Sequence, residues 1–294
     1  MQTLVNRICE ATFFFFYGLL RLLPIASFRR TAYPFLQLFI HIAIPRKRII
    51  RNLSAAFGQS YSASTKRGLA KGVQEHFITN LMDCFMQISD SEHARKVIDI
   101  RGVHHLESAL RNGRGVIVLG AHIGNFVLVG TRLGLEGHSF HTLFRIPPDR
   151  RIKNVIDKFL PHYHQSVIPS LPKLKAVTRI LEALKNNDIV YILGDNLKKV
   201  RSRHFSLDNV SPSPRGPISL ALRSGAPLVP MYLVRNYQGR LNLIIEPELE
   251  IVRNGNLAKN IEENTKRVVQ HVEKLIRQYP DQWNWLTVRL TQAR

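Results

Sequence analysis

From about residue 97 the chain alternates short apolar runs with longer amphipathic stretches, and that alternation constrains its fold more than any other feature. VIDIRG, GVIVLG, the short SFHTLFR, DIVYILGD, APLVPMYLV and RLNLIIEP read as strands, several of them apolar at every central position. A strand of that kind is covered on both faces, and the intervening segments, 152–160 and 171–187 among them, carry helical spacing. The expected class is therefore α/β, a sheet with helices on its faces. Residues 64–95 read as one helix whose stripe of Phe77, Leu81, Met82 and Phe85 belongs to a core. Residues 261–278 read as a closing amphipathic helix before the tail YPDQWNWLTVR. There is no internal repeat, linker or low-complexity tract, so the one boundary falls near residue 50.

Two apolar runs lie ahead of that boundary. Ala11 to Leu23 is broken by Arg21, and Ala32 to Pro45 follows. Each is shorter than the roughly 20 residues a spanning helix needs. Arg29, Arg30, Arg46, Lys47, Arg48 and Arg51 flank the second run, with no acidic residue from 29 to 51. Apolar helices with basic flanks fit the surface of an anionic membrane. Two core helices with solvated ends are the plainer alternative, and a signal peptide is disfavoured because no small-x-small cleavage site is convincing. The expected division is thus 1–50 as membrane-associated helices and 51–294 as the α/β domain.

With 42 Lys and Arg against 21 Asp and Glu, the formal charge of +21 calls for an anionic partner. Nucleic acid is disfavoured because no helix-turn-helix, zinc-finger or aromatic-basic RNA motif occurs. Between 145 and 203 there are 13 basic and 5 acidic residues, including KKVRSR at 198–203. Cys9 and Cys84 are too few for a disulfide framework or a thiolate site. His162 and His164 lack a nearby carboxylate or Cys, and the adjacent His104 and His105 should point apart, so no metal is expected. Neither a P-loop nor a dinucleotide fingerprint is present, and no cofactor is expected.

The candidate site is the stretch VIVLGAHIGNFVLVG, residues 116–130. A strand delivers its end to the carboxyl edge of the sheet, where α/β proteins place ligands. The chain then turns through Ala121 to Asn125 into a helix start whose amides could face an anion or a developing oxyanion. His122 in that turn is placed for proton transfer, although a lone His after a strand is as readily a structural residue.

GAHIGNF resembles the G-H-x-G-N-W-E core of the bacterial acyltransferases that add secondary acyl chains to lipid A, the lauroyl and myristoyl transferases. PRKRIIRNLSAAFG, VIDIRGVHHLESALRNGRGVIVLGAHIGNF, HTLFRIPPDRRIKNVIDKF, YILGDN, SPSPRGPISLALRSGAPLVPMYLVRNYQGRLNLIIEPELE and the C-terminal IEENTKRVVQHVEKLIRQYPDQWNWLTVR resemble further blocks of that family, in its order and spacing. The resemblance implies a mixed central sheet flanked by helices, as in glycerol-3-phosphate acyltransferases. It implies an enzyme on the cytoplasmic face of the inner membrane that moves an acyl chain from acyl carrier protein to a lipid acceptor, lipid A precursor or a related glycolipid. His122 then matches the general base, and Gly124, Asn125, Arg145, Arg215 and Gly216 match substrate-binding positions. Arg145 would meet an anionic headgroup or the carrier's phosphopantetheine. Gly216 and Pro230 match positions that shape backbone around the acyl groove.

One departure stands out. The family's catalytic acid, five residues after the His, is Val127 here, and no Asp or Glu occurs between Glu107 and Glu136. Loss of the orienting carboxylate costs on the order of 10⁴ in rate in hydrolytic triads. Three readings stay open. The chain is an impaired homologue that binds lipid or donor as a regulatory protein; or a carboxylate from elsewhere serves, Asp195 at the end of YILGD being the best candidate; or His122 suffices alone. Other acceptors, an aminolipid or a lysophospholipid, also remain open. Trp283 and Trp285 read equally as interfacial anchors or as core.

Overall fold

A computed structural model describes residues 11, 14–19, 22, 25–90, 92–146, 150–195 and 215–286. The chain divides into two compact units, whose described residues lie within 1–93 with 284–294 and within 94–201 with 209–283.

In the first unit, α1 (Ile25–Ala43), α2 (Arg46–Phe57) and α3 (Ala63–Ser89) are the long elements. α1 begins well before the apolar run at 32 and carries Pro34 inside it. Phe28, Ala32, Leu36 and Ile40, spaced by four, are buried against Ile78, Met82 and Phe85 of α3. Burying side chains of this size contributes about 1.5–3 kcal/mol each for the larger ones. Phe35, Leu38 and Ile42, on the rest of α1, are exposed. Ser62 starts α3 by accepting from the Thr65 amide at 3.1 Å, a cap worth about 1 kcal/mol. The helix expected over 64–95 stops at Ser89, and His93–Val97 forms a separate short α4. Met82 and Phe85 hold the expected core positions, whereas Phe77 is exposed. No described helix is long and apolar enough to cross a membrane.

The second unit is a seven-stranded mixed sheet. Its strands are β1 (Ile98–Arg101), β2 (Val116–Gly120), β3 (Phe140–Phe144), β4 (Gln165–Pro169), β5 (Ile189–Leu193), β6 (Leu228–Arg235) and β7 (Leu241–Ile245), in the order β1-β7-β6-β2-β5-β3-β4. β2 to β6 all run parallel to one another, β7 is antiparallel to β6, and β1 is parallel to β7. The connecting helices α5 (Val103–Leu110), α6 (Val129–Leu135), α7 (Arg150–Phe159), α8 (Lys173–Lys185) and α9 (Arg215–Ser224) precede the closing α10 (Leu257–Gln278). All but α7 pack directly on strands or, for α10, on α9. β2 is buried at every position, as its unbroken apolar sequence requires. The edge strand β4 (QSVIP) escaped the sequence reading: it is short, follows a 3-10 turn and ends on Pro169. α10 begins at Leu257, four residues ahead of the expected start, because the Asn256 side chain caps the Lys259 amide at 3.0 Å.

Pro230 sits inside β6 and has no N–H to give to a ladder. The β2–β6 pairing ends there, at Leu119 opposite Pro230. Beyond that point β6 is free to pair with the loop that leaves β2, and this is what positions the candidate site.

Candidate functional site

β2 and β5 are adjacent, parallel and in register with Gly120 opposite Leu193. Two residues beyond that pair on each strand stand His122 and Asp195, at the same level of the carboxyl edge. Their side chains meet: His122 Nδ1 lies 2.8 Å from Asp195 Oδ1. The His122 backbone N–H donates to Asp195 Oδ2 at 2.7 Å, and Trp283 Nε1–H donates to the same oxygen at 2.9 Å. The carboxylate side chain is 1% exposed and the imidazole 26%. A buried charge of this kind is tolerated only with its donors supplied, and here three are in place.

The environment works on His122 in two directions. Burial pushes its pKa down, but the hydrogen bond and charge of Asp195 outweigh that and hold it above the ordinary imidazole value of 6.5. With Nδ1–H turned to the carboxylate, Nε2 is the basic nitrogen, and it has no protein partner among the described residues. Phe126 packs edge-on against the ring, centroids 5.1 Å apart.

The loop between is fixed by backbone bonds. Gly124 N–H donates to Gln282 O at 2.9 Å and Asn125 N–H to Leu233 O at 2.8 Å. Bridges pair Ile123 with Trp283 and Gly124 with Leu233. Gly124 has φ +55°, and a Cβ there would overlap the Leu233 carbonyl oxygen, so only glycine fits. Asn125 is buried. The amides of His122, Gly124 and Asn125 are thus committed to protein acceptors, which leaves those of the helix start beyond them to face an anion. The helix start is a 3-10 turn, Phe126–Leu128, running into α6. Its first two amides, Phe126 and Val127, have no acceptor inside the turn.

Behind the pair, Tyr191 of β5 lies against Gly120, where a Cβ would strike its ring. The Tyr191 hydroxyl is buried with no partner among the described residues. Burial, then the charge of Asp195, push its pKa far up, so it stays neutral.

Val127 is 58% exposed. Arg145 directly follows β3, and Arg215 and Gly216 open α9; all three are exposed on the carboxyl edge, and no described contact joins them to His122. Among the described residues nothing lies within 4 Å of a Cβ built on Gly216, and its backbone is not left-handed. KKVRSR lies outside the described residues. Trp283 and Trp285 are buried, which removes the interfacial-anchor alternative, and Trp283 is a site residue that sequence reasoning missed. His104 and His105, expected to diverge, lie with ring centroids 4.0 Å apart and planes tilted by 48°. No group of three or more His, Cys, Asp or Glu among the described residues is arranged to hold a metal.

Fold and site together define an α/β protein whose sheet edge carries a histidine oriented by a buried aspartate, an arrangement suited to proton transfer. The sequence profile of the family described as bacterial lipid A biosynthesis acyltransferase matches residues 6–292. The chain belongs to that family, an enzyme family whose reaction is acyl transfer onto lipid A-like substrates. No curated protein matches the chain.

Proposed function

We propose that the chain moves a fatty acyl group from the thioester of acyl carrier protein to a hydroxyl of a lipid acceptor, a lipid A precursor or related glycolipid, at the inner membrane. His122 is the general base and Asp195 its orienting carboxylate. The observation that carries this is the 2.8 Å bond between His122 Nδ1 and Asp195 Oδ1, which supplies from β5 the acid missing at Val127. Nε2 takes the proton as the acceptor oxygen attacks the thioester carbonyl. The oxyanion then collapses, the C–S bond breaks, and the imidazolium returns its proton to the leaving thiolate. Phe126 and Val127 N–H are the candidate oxyanion donors. Arg145 and Arg215, with Gly124, Asn125 and Gly216 as framework, serve the anionic parts of the substrates.

Membrane association is supported by α1, whose Phe35, Leu38 and Ile42 remain exposed beside a buried apolar face. The first 50 residues are the anchoring segment in this reading. Labelled acyl carrier protein incubated with a panel of lipid acceptors tests the reaction: transfer by the native chain, abolished in His122→Ala, is expected. A chain that binds donor and lipid but transfers to no acceptor contradicts it and leaves the binding-protein reading.

A further inference from the structure

The exposed apolar side chains of the sheet unit are not spread evenly. Of the seven large ones exposed among its described residues, five lie on the edge that carries His122: Val127 after β2, Phe144 ending β3, Leu171 and Leu174 after β4, and Tyr237 after β6. Leu171 is 56% and Leu174 79% exposed. Since the strands run in the order β6-β2-β5-β3-β4, these groups span four inter-strand spacings, about 19 Å. Arg145, Lys173, Lys175 and Arg215 stand exposed among them. The described residues that follow these parallel strands at the edge include one acidic side chain, the buried Asp195.

Apolar groups distributed along an edge, with bases between them and no exposed acid among the described residues, match a surface that is anionic at its headgroups and apolar beneath. A partner protein would be met by a clustered patch or groove; this pattern is spread across five strands. We propose that the carboxyl edge of the sheet docks on an anionic lipid surface, with Leu171 and Leu174 entering the acyl region and Lys173 and Lys175 held at the headgroups. A lipid acceptor then reaches His122 without leaving the bilayer. That last consequence rests on the acyl-transfer reading; the docking does not.

The test uses the full chain with Cys9→Ser and Cys84→Ser, and Leu174→Cys carrying an environment-sensitive fluorophore. On vesicles of phosphatidylcholine containing phosphatidylglycerol, the emission is expected to shift to the blue and to be quenched by spin-labelled lipid. Lys173→Glu with Lys175→Glu is expected to weaken binding to these vesicles about tenfold or more, while binding to phosphatidylcholine alone changes little. A chain that sediments with vesicles while the label keeps its aqueous emission overturns the proposal, as does a chain that does not bind them. Transfer to an acceptor dispersed in detergent is followed in parallel. An inserted label with no transfer supports the docking and overturns only the acyl-transfer reading.

Discussion

Two stretches of the same sheet edge are built in opposite ways. The loop from Ala121 to Asn125 has its His122, Gly124 and Asn125 amides committed to protein acceptors and a glycine that nothing else can replace. The segments bearing Arg145 and Arg215 leave their side chains in solvent. The first fixes a proton-transfer group through backbone and side-chain hydrogen bonds, the positioning that general-base chemistry needs. The second can adapt to a headgroup and contributes only when substrate arrives. Substitutions in the fixed loop should therefore act on kcat and stability, and substitutions in the open segments on KM.

The sharpest break of that contrast is Asp195→Asn, which keeps the shape and removes the charge. Acyl transfer should fall by a factor on the order of 10⁴, measured as kcat with saturating donor. The same substitution should move the pH profile. Neutral His122 is the active base, and Asp195 holds its pKa above 6.5, so kcat/KM of the native chain should rise with pH through a value above 6.5. In Asp195→Asn the residual activity should rise at lower pH, because desolvation then acts unopposed.

Gly124→Ala should lower stability by about 1–3 kcal/mol or more from the backbone alone, read as a fall in Tm of several degrees, with overlap on Leu233 O adding to it. Trp283→Phe removes one donor from a buried carboxylate and should cost about 1–3 kcal/mol, seen as a lower Tm together with a slower turnover. Arg145→Ala should raise KM about tenfold, the scale of one charge-assisted hydrogen bond, with kcat kept. An Arg145→Ala variant that loses kcat at constant KM would place this residue with the fixed loop instead. The smallest effect is expected for Val127→Glu. The position is exposed and Nδ1 is already engaged, so the rate should stay within about twofold of native.

Much of this was legible in the sequence. The apolar runs announced six of the seven strands, and the strand-end position of Asp195 made it the leading substitute for the missing acid. What the residues could not disclose is register: that β5 lies beside β2, with Gly120 opposite Leu193, brings His122 and Asp195 level. Trp283 stands 88 residues beyond Asp195, and two tryptophans in a polar tail carry no sign of which carboxylate one of them will meet. That the His122, Gly124 and Asn125 amides are taken by protein acceptors was hidden for a related reason. Pro230 ends the β2–β6 ladder and β6 then takes up the loop, a competition between distant strands that local spacing does not express. α1 was ambiguous because both its faces are apolar, and only packing against Ile78, Met82 and Phe85 distinguishes them.

The central claim is that His122 and Asp195 act as one unit, and a double-mutant cycle on acyl transfer tests it most directly. If they do, His122→Ala combined with Asp195→Ala should be no slower than His122→Ala alone. Independent, multiplicative losses from the two substitutions would contradict it.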